Sequence, residues 1–339
     1  MAHMPNILAL DIGGANIKLA NGHDYAASCP FALWKTPEKL AAQIAECLTA
    51  APSAERIVVT MTGELCDCYE TKSLGVKHIL AATIEAAPRT PVTVYQTTGQ
   101  FVAAEEAIEN YLLAAASNWH ALASFAAGYC EGEQGLLIDI GSTTADLIPL
   151  VAGKEAAGGR TDPERLLTGE LVYTGVERSP VCAIVSHLPW RDASCPVAQE
   201  FFATSGDAYL LLGNLSADET DTNTTDGKPF TIAASHSRFA RMVCSDSELV
   251  SRAEVIAFAE AIREAQLAML ERAFNQVVDA MPAKPQAMVL SGHGEFLARQ
   301  LLARVHWQGR IVSLTEKLGQ KVSRCAPAHA LAVLAQQQK

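Results

Sequence analysis

Leu136-Leu137-Ile138-Asp139-Ile140-Gly141-Ser142-Thr143-Thr144-Ala145-Asp146 restates, about 125 residues further on, what Ile7-Leu8-Ala9-Leu10-Asp11-Ile12-Gly13-Gly14 states near the start of the chain. Each begins as an apolar run of β type, reaches an Asp, turns through small residues and resumes as a second apolar run, Ile17-Lys18-Leu19-Ala20 or Leu147-Ile148-Pro149-Leu150. The pattern predicts two β-hairpins, each with a carboxylate at its tip. Gly13, Gly14 and Gly141 let a ligand approach the backbone, exposed N–H groups bind phosphoryl oxygens, and Asp11 or Asp139 can hold Mg²⁺ directly or through water. A duplicated tip implies one site made of two halves, at a spacing that suits two similar domains.

At 339 residues the chain exceeds one ordinary core. Its composition, 49% hydrophobic and 19% charged, is globular, and no apolar run approaches the ~18 residues of a membrane span. Met1-Ala2-His3-Met4 reads as a cloning scar ahead of an initiator Met4, with no signal-type segment after it, so the expected location is cytoplasmic. A net charge of −11 without a Lys/Arg block argues against a nucleic-acid surface, so an anionic substrate needs local cations or a metal. The nine cysteines lack Cys-x-x-Cys spacing and read as reduced thiols.

Around the hairpins at 6–20 and 135–150, strand and helix patterns alternate in the first half. The second half adds a long helix Ser251–Met281, a strand Ala287–Leu290, a helix Glu295–Val305 and a final helix 327–337. The stretch 155–235 looks irregular and includes an acidic loop with Asp218, Glu219, Asp221 and Asp226. It reads either as a solvated turn or as a second Mg²⁺ site or amine clamp. Ser291-Gly292-His293-Gly294 joins a strand to a helix N-terminus, whose free amides suit an anion or a nucleotide. Main-chain contacts, rather than the His293 imidazole, are expected to matter there.

These three motifs, in this order, resemble those of the superfamily of actin, the Hsp70 ATPase and the sugar kinases. Asp11-Ile12-Gly13-Gly14 with Lys18 matches its first phosphate motif, Asp139 to Thr144 with Asp146 its second, and Leu290 to Gly294 its adenosine-side motif. The resemblance implies an α/β fold of two RNase-H-like domains flanking a central cleft. We place the first at 4–133, with helix 327–337 packing back on it, and the second at 134–323, with a substrate insert at about 155–235.

Closer in, Met61-Thr62-Gly63-Glu64-Leu65, the run Leu167 to Val176, Ala217 to Asp221 and Ser291 to Glu295 are similar to the hydantoinase/oxoprolinase-related proteins of the tetrahydromethanopterin-linked C1 transfer pathway. Their archaeal relatives are the methanofuran-biosynthesis synthases. The resemblance implies transfer of an aminomethylfuranylmethyl group from its diphosphate to the phenol oxygen of a tyramine-type acceptor, with release of diphosphate. The partners are then a small diphosphate and a phenolic amine, with no nucleic acid and no membrane, and a homodimer is allowed.

In that scheme Asp11, Asp139 and Asp146 organise Mg²⁺, Lys18 meets diphosphate oxygens, and Gly13, Gly14, Gly141, Ser142, Thr143 and Thr144 line the phosphate. Gly292, His293 and Gly294 line the nucleotide side, where ATP or ADP has room without being consumed. Glu64 and Glu170, each after Thr-Gly, are the candidate bases for the phenol. Against these stand plainer readings: a glutamate after a turn is often solvated, and Lys18 can snorkel from an apolar hairpin. Arg178, Arg238 and Arg241 are further anion candidates. Two other functions remain open on the same fold, an ATP-dependent small-molecule kinase or ATPase and a nucleotide-binding regulatory partner.

Overall fold

A computed structural model describes residues 6–338; the first four residues, read above as a cloning scar and initiator, lie outside the described residues. Six strands form the first sheet: β1 (Ile7–Ile12), β2 (Asn16–Ala20), β3 (Ala26–Pro30), β4 (Arg56–Met61), β5 (Val92–Tyr95) and β6 (Phe101–Val102). Their order is β3-β2-β1-β4-β5-β6, with β1, β4 and β5 parallel and the rest antiparallel. The continuous apolar run of β1 follows from its central place, because a strand covered on both faces has no solvent side to mark with polar residues.

The second sheet contains β7 (Gly135–Ile140), β8 (Ala145–Val151), β9 (Lys154–Glu155) and β10 (Leu171–Val172). It is completed, after the hairpin of β11 (His187–Trp190) and β12 (Ala193–Pro196), by β13 (Ala287–Ser291) and β14 (Arg310–Ser313). Its order, β10-β8-β7-β13-β14, repeats that of the first sheet, again with an antiparallel hairpin beside two parallel strands. No strand pairing among the described residues joins the two sheets, and the proposed division at 133/134 rests on that.

The helices do not divide there. Helix 118–126 packs Trp119, Leu122 and Ala126 against Leu137, Ile148 and Leu150 of the second sheet. The C-terminal helix Ala326–Gln337 lays Ala328, Leu331 and Ala335 on Ile7, Ala9 and Val58 of the first, while Ala326 and Ala330 join the second-sheet cluster. A buried polar circuit crosses the same boundary. Tyr95 on β5 meets His120 at 2.9 Å, His120 meets Glu155 on β9 at 2.8 Å, and Arg160 binds both Glu155 and the Thr97 carbonyl.

The long helix runs Arg252–Ala280, started by a Ser251/Glu254 capping box and stopped before Pro282. The stretch 155–235 proves more regular than its sequence suggests. It folds into short helices and the hairpin β11–β12, around a core of Val181, Leu188, Phe239, Phe258 and Ile262. The acidic loop is not free of cations, because Asp226 binds Arg238 at 3.0 Å and Arg241 at 3.4 Å from helix 232–242. Arg238 is fully buried and also grips Asp207, so these two arginines serve the insert's own architecture. No helix among the described residues is long and apolar enough to cross a membrane, and all nine cysteines are free thiols.

Candidate active site

The two hairpins turn in the same way. Gly13 N–H donates to Asn16 O at 2.9 Å and Gly141 N–H to Thr144 O at 2.8 Å, while Ile12 pairs with Ile17 and Ile140 with Ala145. Asp11 faces Lys18 across its hairpin, and the equivalent partners in the second are Asp139 and Asp146. The aspartates stand on strand residues just before the turns rather than at exposed tips: Asp11 is only 4% exposed. None of Gly13, Gly14 and Gly141 takes a positive φ. Gly14 is required by proximity instead, since a Cβ there would lie 2.8 Å from Cys66 Sγ.

Each turn is braced by other segments. Leu33 N–H bonds Gly14 O and Thr62 N–H bonds Ile12 O on the first; Val176 N–H bonds Gly141 O, both Glu177 and Arg178 N–H bond Ser142 O, and Gly294 N–H bonds Ile140 O on the second. Gly175 and Gly292 permit this closeness, because side chains there would strike the second hairpin's backbone. The bracing segments also meet each other: the Arg178 guanidinium stacks 4.8 Å over the ring of Trp34, which adjoins Leu33.

The charge of Lys18 reaches both hairpins. Lys18 acts on Asp11 in its own hairpin and on Asp139 and Glu177 in the other half. Burial pushes the Asp11 carboxyl up, Lys18 pulls it back, and its Oδ1 is buried without a partner. Burial and the neighbouring Asp146 push Asp139 up to about 6, against the pull of Ser291, Lys18 and His293. Glu177 accepts a contact from His293 Nδ1 at 3.1 Å; although burial opposes it, His293, Lys18 and Arg324 hold its carboxyl below the usual range. The imidazole of His293 thus has a side-chain partner, in addition to the main-chain contact that Gly294 N–H makes to Ile140 O.

The two Thr-Gly-Glu segments diverge. Glu64, on a turn after β4, is 1% exposed, and both carboxylate oxygens are buried without a hydrogen-bond partner; burial raises it to about 7. Glu170 instead accepts hydrogen bonds from Gly158 N–H at 2.6 Å, Gly159 N–H at 2.9 Å and the Thr168 hydroxyl at 2.9 Å. Its carboxylate ties down the loop after β9, and the base role expected for it would compete with these three hydrogen bonds. Asp146 forms an ion pair with the buried Arg165 through Oδ1, so a metal at the second hairpin would share this carboxylate with Arg165.

Among the described residues no three His, Cys, Asp or Glu side chains converge in a metal cage. Mg²⁺ does not require one, since it commonly keeps waters and takes one or two carboxylates plus substrate phosphates. The orphaned Asp11 Oδ1 and the destabilised Asp139 carboxylate suit that role, because a dication favours the charged form of both.

A family model for hydantoinase/oxoprolinase matches residues 56–338. The chain belongs to the hydantoinase/oxoprolinase family. It is 32% identical, over 98% of both chains, to the (4-{4-[2-(gamma-L-glutamylamino)ethyl]phenoxymethyl}furan-2-yl)methanamine synthase of Methanocaldococcus jannaschii. It is 31% identical to the Methanococcus vannielii protein of the same name, over 59% of this chain and 89% of that one. Among solved structures, nucleotide-free acetone carboxylase covers 97% of this chain, with 70% of its own length matched, at 10% identity and a TM-score of 0.56, a likeness of fold. With the strand order of one sheet repeated in the other, the hydantoinase/oxoprolinase chain is an α/β protein built on two similar sheets.

Sequence reasoning passed over Glu177 and Trp34, while Ser291, quoted only as part of its turn motif, closes the strand that runs beside Asp139. Glu177 and Trp34 carry no local motif, and only tertiary packing brings them to the hairpins.

Proposed function

We propose that this chain is a synthase of methanofuran- or methylofuran-type cofactor biosynthesis. It would join an aminomethylfuranylmethyl diphosphate to the phenol oxygen of a tyramine-type acceptor. The supporting observation is similarity over 98% of the chain to a synthase whose name specifies a product with that aryl–furanylmethyl ether.

In the reaction the furanylmethyl C–O bond breaks, its electron pair leaves with diphosphate, and the phenol oxygen forms the new C–O bond while its proton passes to a base. Lys18 and the amides of the two turns meet the diphosphate oxygens, where negative charge builds up as the bond breaks. Mg²⁺ held by Asp11 and Asp139 would supply further neutralisation of the leaving group. Glu64, with unpartnered oxygens and a value raised to about 7, is suited to take the phenol proton near neutral pH. The Glu177–His293 pair links two segments that brace the second turn, and the Arg178–Trp34 stack joins the braces of the second turn to those of the first.

The test is incubation with the furanylmethyl diphosphate, a tyramine-type acceptor and Mg²⁺, with no nucleotide. Diphosphate release that depends on the acceptor supports the reading. ADP formed from ATP on a hydroxylated acceptor, without furan transfer, would replace it with a kinase.

A further inference from the structure

Away from the hairpins, the boundary between the halves carries charges that the transfer reaction leaves unused. Lys72, the first residue of helix 72–86, pairs at 3.0 Å with Asp162, the first residue of helix 162–168. A cation in a helix's first turn stands at the positive end of the dipole, so Lys72 is placed against its own helix and held from the other half of the molecule. Beside the pair lies a cavity of about 230 Å³ lined by Lys72, Leu112, Ala115, Thr161, Asp162 and Pro163. Both halves contribute walls, which are apolar at Leu112, Ala115 and Pro163 and polar at the two charges and Thr161. Glu64, buried and unpartnered, feels the charges of both Lys72 and Asp162.

We propose that this cavity seats the remote end of the acceptor, a free α-amino-acid head group, with its carboxylate on Lys72 and its ammonium on Asp162. The proposal rests on the transfer reading for the acceptor's aromatic end. A cation and an anion 3.0 Å apart are matched by a zwitterion presented in the opposite sense, so each charge keeps a partner when the head group enters. A lone carboxylate or a lone amine would instead take one member of the pair and strand the other.

Size points the same way, because whole-ligand pockets run to roughly 300–1,000 Å³ and this one suits one end of a longer molecule. So does position. A Cβ on Gly63 would lie 3.2 Å from both the Ile12 and Gly13 carbonyls, which sets the residue before Glu64 against the first turn. Lys72 and Asp162 act on Glu64 as well, so the phenol end and the head group would be served by neighbouring segments.

The test is calorimetry on the full chain, with neither donor nor nucleotide, using γ-L-glutamyltyramine, its α-methyl ester, its N-acetyl derivative and tyramine. The expected result is at least tenfold tighter binding of γ-L-glutamyltyramine than of the other three. Lys72→Met and Asp162→Asn should each weaken it about tenfold and leave tyramine unaffected. Each variant loses an ion pair across the boundary, so the ligand analogues on the unaltered protein carry the test if a variant fails to fold. Binding of all four within threefold, or of none, overturns the head-group site. Diphosphate release is measured separately: turnover without head-group discrimination leaves the transfer reading standing, and discrimination without turnover removes that reading and keeps the site.

Discussion

Glu64 and Glu170 occupy the same Thr-Gly-Glu tripeptide and meet opposite fates, because partners distant in sequence decide them. Glu170 is met by the amides of Gly158 and Gly159, whereas nothing satisfies Glu64. The folded value of Glu64, about 7, lies above its ordinary 4.5, so the fold favours the neutral acid. Its contribution to stability is complete below about pH 4.5 and is lost as pH rises through about 7. Glu64→Gln should remove that loss: its thermal midpoint relative to wild type should be higher at pH 8 than at pH 5, by roughly 2–4 kcal/mol in stability. Melting curves at the two pH values check this, and parallel behaviour of the two proteins would contradict it. The same variant should lower kcat by roughly 10²–10⁴ near pH 7, with a smaller deficit near pH 10 where the phenol ionises unaided.

Asp11 and Asp139 belong to the same scale. Burial raises both, so their neutral amides relieve the fold while removing charges that the proposed Mg²⁺ and leaving group need. Asp11→Asn and Asp139→Asn should each abolish turnover and melt at or above the wild-type temperature in the absence of ligand. Activity within twofold of wild type in either would contradict the role.

At the scale of elements, the hairpins were legible because the chain writes them twice, and pairing Asp139 with Asp146 follows from pairing Asp11 with Lys18. The braces were not legible. Thr174-Gly175-Val176 reaches the second turn only through tertiary packing, with Gly175 so close that a Cβ would lie 2.5 Å from the Ser142 and Thr143 backbone. Gly175→Ala should therefore cost roughly 1–3 kcal/mol and lower activity by shifting that turn. Denaturant unfolding alongside turnover would show both, and an unchanged midpoint would mean the turn yields easily. The hairpin β11–β12 escaped notice for a different reason. Pro189 and Pro196 lie in its strands, and its turn residues, Arg191 and Asp192, take positive φ of 51° and 61° with neither Gly nor Asn to announce them.

At the scale of the molecule, the two sheets are held in relation by shared helices and by the circuit through Tyr95, His120, Glu155 and Arg160. Although burial opposes it, His120 and Arg160 hold Glu155 down to about 2, so its stabilisation is present above about pH 4.5 and is lost as pH falls through about 2. Glu155→Gln should lower stability at pH 7 by roughly 1–3 kcal/mol, with the difference shrinking in acid; a midpoint equal to wild type at pH 7 would show that the helices alone join the halves. That arrangement matters because the proposed site draws Asp11, Lys18 and Glu64 from one half and Asp139, Glu177 and His293 from the other. The reaction proposed for that site moves a furanylmethyl group instead of a phosphoryl group. Mass spectrometry of the product formed from furanylmethyl diphosphate and an acceptor labelled with ¹⁸O at the phenol, with ATP also present, tests this most directly. The account predicts an aryl furanylmethyl ether that retains the label, with one diphosphate released per ether and ATP intact; a labelled aryl phosphate with ADP beside it would contradict it.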